Sequence, residues 1–147
     1  SEVGEDSSAG IQPSMSILLA EDNPVNALLA KSLLAKLGHR IVHVTDGRAA
    51  CRAFSQAIQD TQAFDIVLMD LQMPVMDGRA AIDVIRKFER RFSTSATPII
   101  VLTADGQEEV REEVVARGAD GLLTKPLDLE IVTRLISAYA QQTVQPV

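Results

Sequence analysis

The stretch Phe64-Asp-Ile-Val-Leu-Met-Asp70-Leu-Gln-Met-Pro-Val-Met-Asp-Gly78 decides how the chain is read. In it an unbroken apolar run ends on a carboxylate, and a turn marked by Pro and Gly follows at once. A strand as apolar as Ile66 to Met69 has no polar face to turn to water, so it is expected to be covered on both sides, as strands of a parallel α/β sheet are. In such sheets ligands collect outside the carboxyl ends of the strands, which makes Asp70 the place to look for chemistry. Taken alone, a strand-end Asp is more often a helix cap or turn residue than a nucleophile. Its company has to decide.

Outward from this stretch, β-type runs recur at Ile17–Leu19, Arg40–Val44, Asp65–Met69, Pro98–Leu102 and Gly121–Leu123, each followed by a segment of helical period. The pattern is a βα unit repeated five times. Val25, Leu28, Leu29, Ser32, Leu33 and Lys36 follow one helical stripe, and Ile131, Val132, Leu135, Ile136 and Tyr139 follow another; both are expected to face the sheet. Punctuation agrees, with Pro24 near the first helix's first position, Gly38 closing it, Gly47 and Gly78 beside later starts and Gly118 near a later end. Only Arg40–Val44 alternates polar with apolar residues, so it is expected at an edge. With right-handed crossovers this gives a flavodoxin-like (βα)5 fold, a parallel sheet of order 2-1-3-4-5 with helices on both faces. Strands one and three then lie side by side, and their ends carry Glu21-Asp22 and Asp70.

A length of 147 residues suits one domain with a sizeable core. Cys51 is the only cysteine, which rules out an internal disulfide, disfavours a zinc cluster and fits a reducing cytoplasm. The formal charge of -6 argues against sequence-independent nucleic-acid binding. No apolar stretch reaches the roughly 18 residues that span a bilayer, so no membrane contact is expected. Residues 1–14 are read as a flexible linker or expression remnant, because Ser, Gly, Asp and Glu dominate them, and 142–147 as a frayed tail.

In the expected strand order, the carboxyl ends present Glu21 and Asp22, then Asp70, then Thr103, then Lys125. Clustered carboxylates repel one another and hold protons unless a cation joins them, and hard oxygen ligands suit Mg²⁺, with Mn²⁺ as the alternative ion. A carboxylate beside such an ion and a Lys can attack a phosphoryl group whose oxygens the ion, the ammonium and a hydroxyl hold. The product would be an aspartyl-phosphate.

These residues resemble the receiver domain of two-component response regulators, over nearly all of Ser16 to Tyr139, so that 15–141 forms the receiver domain. The likeness rests on Glu21-Asp22-Asn-Pro-Val-Asn26, on Met69-Asp70-Leu-Gln-Met-Pro74-Val-Met-Asp-Gly78, on Thr103-Ala104 and on Lys125-Pro126, in order and at domain-wide spacing. The first phrase looks most like receivers of hybrid sensor histidine kinases. By this resemblance Asp70 takes the phosphoryl group from a histidine kinase or histidine-phosphotransfer protein, and the domain catalyses its own phosphorylation and dephosphorylation. Asp22, Asp70 and the Gln72 carbonyl would bind Mg²⁺, with Glu21 helping through water. Lys125 would contact Asp70 and the phosphoryl oxygens, Thr103 would swing toward them, and small Ala104 would leave room. Gln72 and Asp105 stand where the family tunes hydrolysis, and a cis bond before Pro126 is implied. The resemblance also implies output through the fourth helix, fifth strand and fifth helix, roughly Gly106 to Tyr139, a face that would also serve a homodimer. Leu122 departs from the pattern by replacing an aromatic ring coupled to Thr, which puts that coupling in question.

Other features have plainer readings. Asp46 and Asp77 precede Gly and read as turn residues, His39 and His43 as surface or packing residues, and Cys51 as a small buried hydrophobe. Met69, Met73 and Met76 read as packing and loop anchors. Arg86-Lys-Phe-Glu-Arg-Arg91 reads as a mostly solvated helical face able to dock an acidic partner. A phosphatase of the haloacid-dehalogenase type would need a second acid where Gln72 stands; the alternative reading is a receiver-like interaction module without phosphotransfer, which usually lacks part of the acidic set or the Lys, and none is missing here. Dinucleotide binding and ATP-dependent kinase activity find no glycine-rich motif here.

Overall fold

The computed structural model describes residues 14–144; the segments read as linker and tail lie outside them but for Ser14 and 142–144. Parallel strands β1 (Ser16–Ala20), β2 (Arg40–Val44), β3 (Ile66–Asp70), β4 (Ile99–Thr103) and β5 (Gly121–Thr124) form a five-stranded sheet of order β2-β1-β3-β4-β5. Between and after them run α1 (Pro24–Lys36), α2 (Gly47–Gln59), α3 (Gly78–Phe92), α4 (Glu108–Arg117) and α5 (Leu129–Val144). The expected flavodoxin-like arrangement is therefore found, with β2 at the edge.

Alternation along the strands splits the core in two. Ile17, Leu19, Ile66, Leu68, Ile100 and Leu102 point to one face, where Ala30 and Leu34 of α1 and Val132, Ile136 and Ala140 of α5 cover them. Leu18, Val67, Met69, Ile99 and Val101 point to the other, under Ala50, Cys51 and Phe54 of α2, Ile82 and Ile85 of α3 and Val114 of α4. Every residue of β3 and β4 is buried, which is why neither strand shows a polar stripe.

Helix ends follow local chemistry. Asn23 accepts the N–H groups of Val25 and Asn26 with Pro24 at the first turn, and Gly38 leaves the helix at φ +89. Asp46 and Asp77 turn out to be helix N-caps, accepting the N–H groups of Ala49 and Ala80.

Two expectations need correction. On α1 the buried residues are Ala27, Ala30 and Leu34, while Val25, Leu28 and Leu29 stand 64%, 63% and 62% exposed, with Ser32 and Lys36 also outside. Apolar residues surround this helix, so spacing alone leaves its rotation open. Alanines decide it, because their small side chains let the helix axis approach the sheet. The α5 stripe is right except for Ile131, which is exposed. The run Arg86–Arg91 is solvated in part. Arg86 and Glu89 turn inward: the guanidinium binds Glu89 (2.7 Å), Asp120 (3.0 Å) and the carbonyls of Thr97 and Gly118, tying α3 to the starts of β4 and β5. Lys87, Arg90 and Arg91 do face water.

Candidate functional site

Parallel strands bring all their carboxyl ends to one edge of the sheet, and the order reverses between β1 and β3. Glu21 and Asp22 follow the last residue of β1; Asp70 and Thr103 are themselves the last residues of β3 and β4; Lys125 follows β5. Together with Asn23, Pro24, Asn26, Gln72, Ala104 and Asp105 these side chains line one cleft of about 520 Å³.

Within it, Lys125 Nζ lies 2.9 Å from Glu21 Oε1 and 3.1 Å from Asp70 Oδ2. Glu21 Oε2 accepts the Asn23 N–H at 3.1 Å, and Asp70 Oδ1 accepts the Gln72 N–H at 3.3 Å. The Thr103 hydroxyl accepts the Asp105 N–H at 3.1 Å, and the Thr103 carbonyl accepts the Lys125 N–H at 2.8 Å. Glu21, Asp70 and Thr103 are buried, whereas Asp22 and Gln72 are exposed.

One ammonium is shared by two buried carboxylates, and the electrostatics show the shortfall. Burial pushes the Asp70 carboxyl above the usual carboxylate range, the Glu21 contact pushes the same way, and Lys125 offsets only part of this. Burial by itself would lower the Lys125 ammonium, but its hydrogen bonds to Glu21 and Asp70 outweigh that and hold it above the usual lysine value. Carboxylate oxygens of Glu21, Asp22 and Asp70 all lie within 4.8 Å of one another. Fully ionised, the three acids exceed the single ammonium by the charge of one divalent cation. An all-oxygen donor set with one face open to water fits Mg²⁺, which keeps part of its hydration shell.

The loop after Asp70 holds this geometry. Val75 sits at φ +69 in a γ-turn closed by the Met76 N–H and the Pro74 carbonyl at 2.7 Å. Gly78 donates to the Leu71 carbonyl at 2.9 Å, and any Cβ there would press into the Asp70 carbonyl. The peptide bond between Lys125 and Pro126 is cis.

Of the residues singled out from sequence, Leu122 and Pro126 do not enter the cleft. Leu122 is buried in the core beneath α4, and Pro126 lines an adjoining apolar groove with Leu29, Leu33, Leu127 and Leu129. Sequence reasoning gave no site role to Asn23, which caps α1 and steadies Glu21, although Asn-Pro before a helix was a signal for it. It also missed the bond between His43 Nε2 and the Glu21 carbonyl, 2.8 Å, which no spacing reveals. Among the described residues no helix is long and apolar enough to cross a membrane.

Comparison with known proteins agrees with this geometry. The family described as "Response regulator receiver domain" matches residues 17–137. The sensor protein GacS of Pseudomonas syringae pv. syringae is 42% identical over 111 residues, covering 76% of this chain and 12% of GacS. The aerobic respiration control sensor protein ArcB of Escherichia coli is 31% identical over 128 residues, covering 86% of this chain and 15% of ArcB. The chain thus spans a small part of the curated relatives it matches. Among solved structures, the receiver domain of sensor histidine kinase PA1611 from Pseudomonas aeruginosa, with magnesium coordinated in its active-site cleft, superposes with TM-score 0.73. It is 35% identical, covering 86% of this chain and 98% of that one. The receiver domain of Saccharomyces cerevisiae Ssk1, solved with the histidine phosphotransfer protein Ypd1, gives TM-score 0.82 at 25% identity, covering 92% and 94%.

Proposed function

This chain belongs to the response regulator receiver domain family, and from that premise we propose that Asp70 is where it accepts a phosphoryl group from a phosphohistidine. It is a phosphoacceptor module of a two-component phosphorelay and works with Mg²⁺. The observation that carries the assignment of Asp70 is its buried carboxylate at the end of β3, 3.1 Å from Lys125 and clustered with Glu21 and Asp22.

An Asp70 oxygen attacks phosphorus as the bond to the donor's imidazole nitrogen breaks, so one bond replaces another and the imidazole leaves. Asp22, Asp70 and the Gln72 carbonyl would hold Mg²⁺, with Glu21 helping through water, and the bound ion would supply neutralisation of phosphoryl charge. Lys125 keeps its contact with the attacked carboxylate and steadies a phosphoryl oxygen. Thr103, whose hydroxyl oxygen now accepts the Asp105 N–H, can turn its O–H toward another. Exposed Ala104 leaves the approach open, and Gln72 and Asp105, at the rim, modulate attack by water. One such charge-assisted bond is worth ~1.5–3 kcal/mol, enough to shift a two-state ratio about tenfold or more.

The responding element is α4 with β5 and α5. Along its length α4 buries Val114 alone and is fastened to α3 by Arg79–Glu113 (2.7 Å) and Arg117–Asp83 (2.7 Å), a light attachment suited to movement. The same face would serve a homodimer. The donor is a histidine kinase or histidine-phosphotransfer protein, the parent a hybrid sensor kinase, and the location cytoplasmic. The donor's docking surface is the exposed α1 patch of Val25, Leu28 and Leu29, which borders the cleft through the groove at Pro126.

The test is labelling with Mg²⁺ by acetyl phosphate and by a phosphorylated histidine-phosphotransfer protein, read by intact mass. Leu29→Arg is expected to slow transfer from the protein donor by about tenfold, because it sets an unpaired charge in the apolar contact and a loss of ~1.4 kcal/mol is tenfold, and to leave acetyl phosphate labelling unchanged. Equal slowing with both donors would remove α1 as the docking surface.

Protons should compete with the ion. Asp70 must be ionised to bind Mg²⁺, and its carboxyl stands above the usual range, so affinity is full above that raised value and falls about tenfold per pH unit below it. The stability contribution runs the other way: without Mg²⁺, protonation of Asp70 favours the folded state below the ordinary carboxylate pKa, and this is lost as pH rises through the raised value. Calorimetric Mg²⁺ titrations across mildly acid pH check the first trend, and metal-free melting the second.

A further inference from the structure

We propose that His43 is a positioning residue for the metal site, acting through the main chain of the acidic pair; this rests on the reading that Glu21, Asp22 and Asp70 hold Mg²⁺. Asp22 differs from its neighbours in how it is held. Glu21 is fixed by Lys125 and by the Asn23 N–H, and Asp70 by Lys125 and the Gln72 N–H. The Asp22 side chain is exposed and makes no hydrogen bond or ion pair with any described residue. What its carboxylate can reach is therefore set by where its backbone lies.

That backbone is clamped from the edge strand. The Glu21 N–H donates to the Val44 carbonyl at 3.0 Å, and His43 Nε2 reaches the Glu21 carbonyl at 2.8 Å. The Glu21 carbonyl and the Asp22 N–H belong to one planar peptide unit, so fixing the oxygen fixes the plane from which Asp22 departs. The carbonyl can only accept, so the imidazole must carry its proton on Nε2. Groups that orient ligands without touching the ion commonly change metal affinity by about 10–100-fold when lost. His43 stands on β2, which among the described residues pairs with β1 alone, so no further described strand duplicates the clamp.

The experiment is Mg²⁺ titration by calorimetry on the full chain, beside melting in metal-free buffer. His43→Phe keeps a ring but removes the donor, and His43→Gln offers an amide N–H of similar reach. His43→Phe is expected to weaken Mg²⁺ binding about tenfold, and His43→Gln to restore it to within about threefold of wild type, a pattern that a loss of packing alone does not produce. If His43→Phe does not fold, His43→Thr, a good strand former too short to reach, takes its place with the same expected weakening. Wild-type affinity in the donor-less variant, or equal weakening in it and in His43→Gln, overturns the role of His43 while leaving the metal site standing. No Mg²⁺ binding by the wild-type chain would overturn the metal site and this inference together.

Discussion

Asp70→Asn is expected to remove all labelling by acetyl phosphate with Mg²⁺, under conditions in which the wild-type chain gains a single phosphoryl increment. The amide oxygen of Asn is too weak a nucleophile to displace the donor, and the change also strips the cation site of one of its clustered acids. Folding should survive. The side chains are nearly the same size, and Asp70 is a buried carboxylate held above its usual pKa beside another acid, so neutralising it relieves repulsion with Glu21. In metal-free buffer the variant should therefore melt within a few degrees of wild type, or higher, and Lys125 keeps its bond to Glu21 at 2.9 Å. Labelling of the variant equal to wild type would contradict the assignment of Asp70, and labelling shifted to another residue, located by peptide mass, would identify a different acceptor.

Removing the ammonium is the second large effect. Lys125→Ala should lower the labelling rate by about a hundredfold or more, the usual weight of one preorganised donor aimed at developing charge. Its effect on stability has a particular signature. In metal-free buffer Glu21 and Asp70 lose their shared counter-charge, and breaking a buried pair in this way costs up to about 3–5 kcal/mol. Mg²⁺ should recover much of that loss, because the cation supplies the missing positive charge to the same oxygens. Melting with and without Mg²⁺ tests it, and the variant's gain from the ion should exceed the wild type's. An equal gain would mean that Lys125 and the ion do not act on one charge cluster.

Much of this was legible in the residues. The apolar run into Asp70 implied a strand covered on both faces, and β3 is buried throughout. Alternation in Arg40–Val44 implied the edge, and β2 is there. Strand bounds shifted by a residue, which makes Asp70 and Thr103 the last members of their strands. That is a matter of where ladder hydrogen bonds stop, which composition does not encode. The rotation of α1 was not legible, because Val25, Leu28 and Leu29 are as apolar as a core stripe and only closeness to the sheet selects Ala27, Ala30 and Leu34. Nor was the inward turn of Arg86 and Glu89, since the partners that make their burial tolerable, Thr97, Gly118 and Asp120, come from other segments.

Periodicity, turn chemistry and crossover handedness are local or topological rules, and they suffice for the class of fold, the order of the strands and the identities of the acids, hydroxyl and ammonium that gather at one edge. How those groups share charge emerges in three dimensions: a single Lys125 bridges two buried carboxylates, Asp22 is left to its backbone, and an edge-strand histidine grips the peptide carrying it. Such relations depend on distances of about 3 Å between residues far apart in the chain, where a hydrogen bond forms or fails over a few tenths of an ångström.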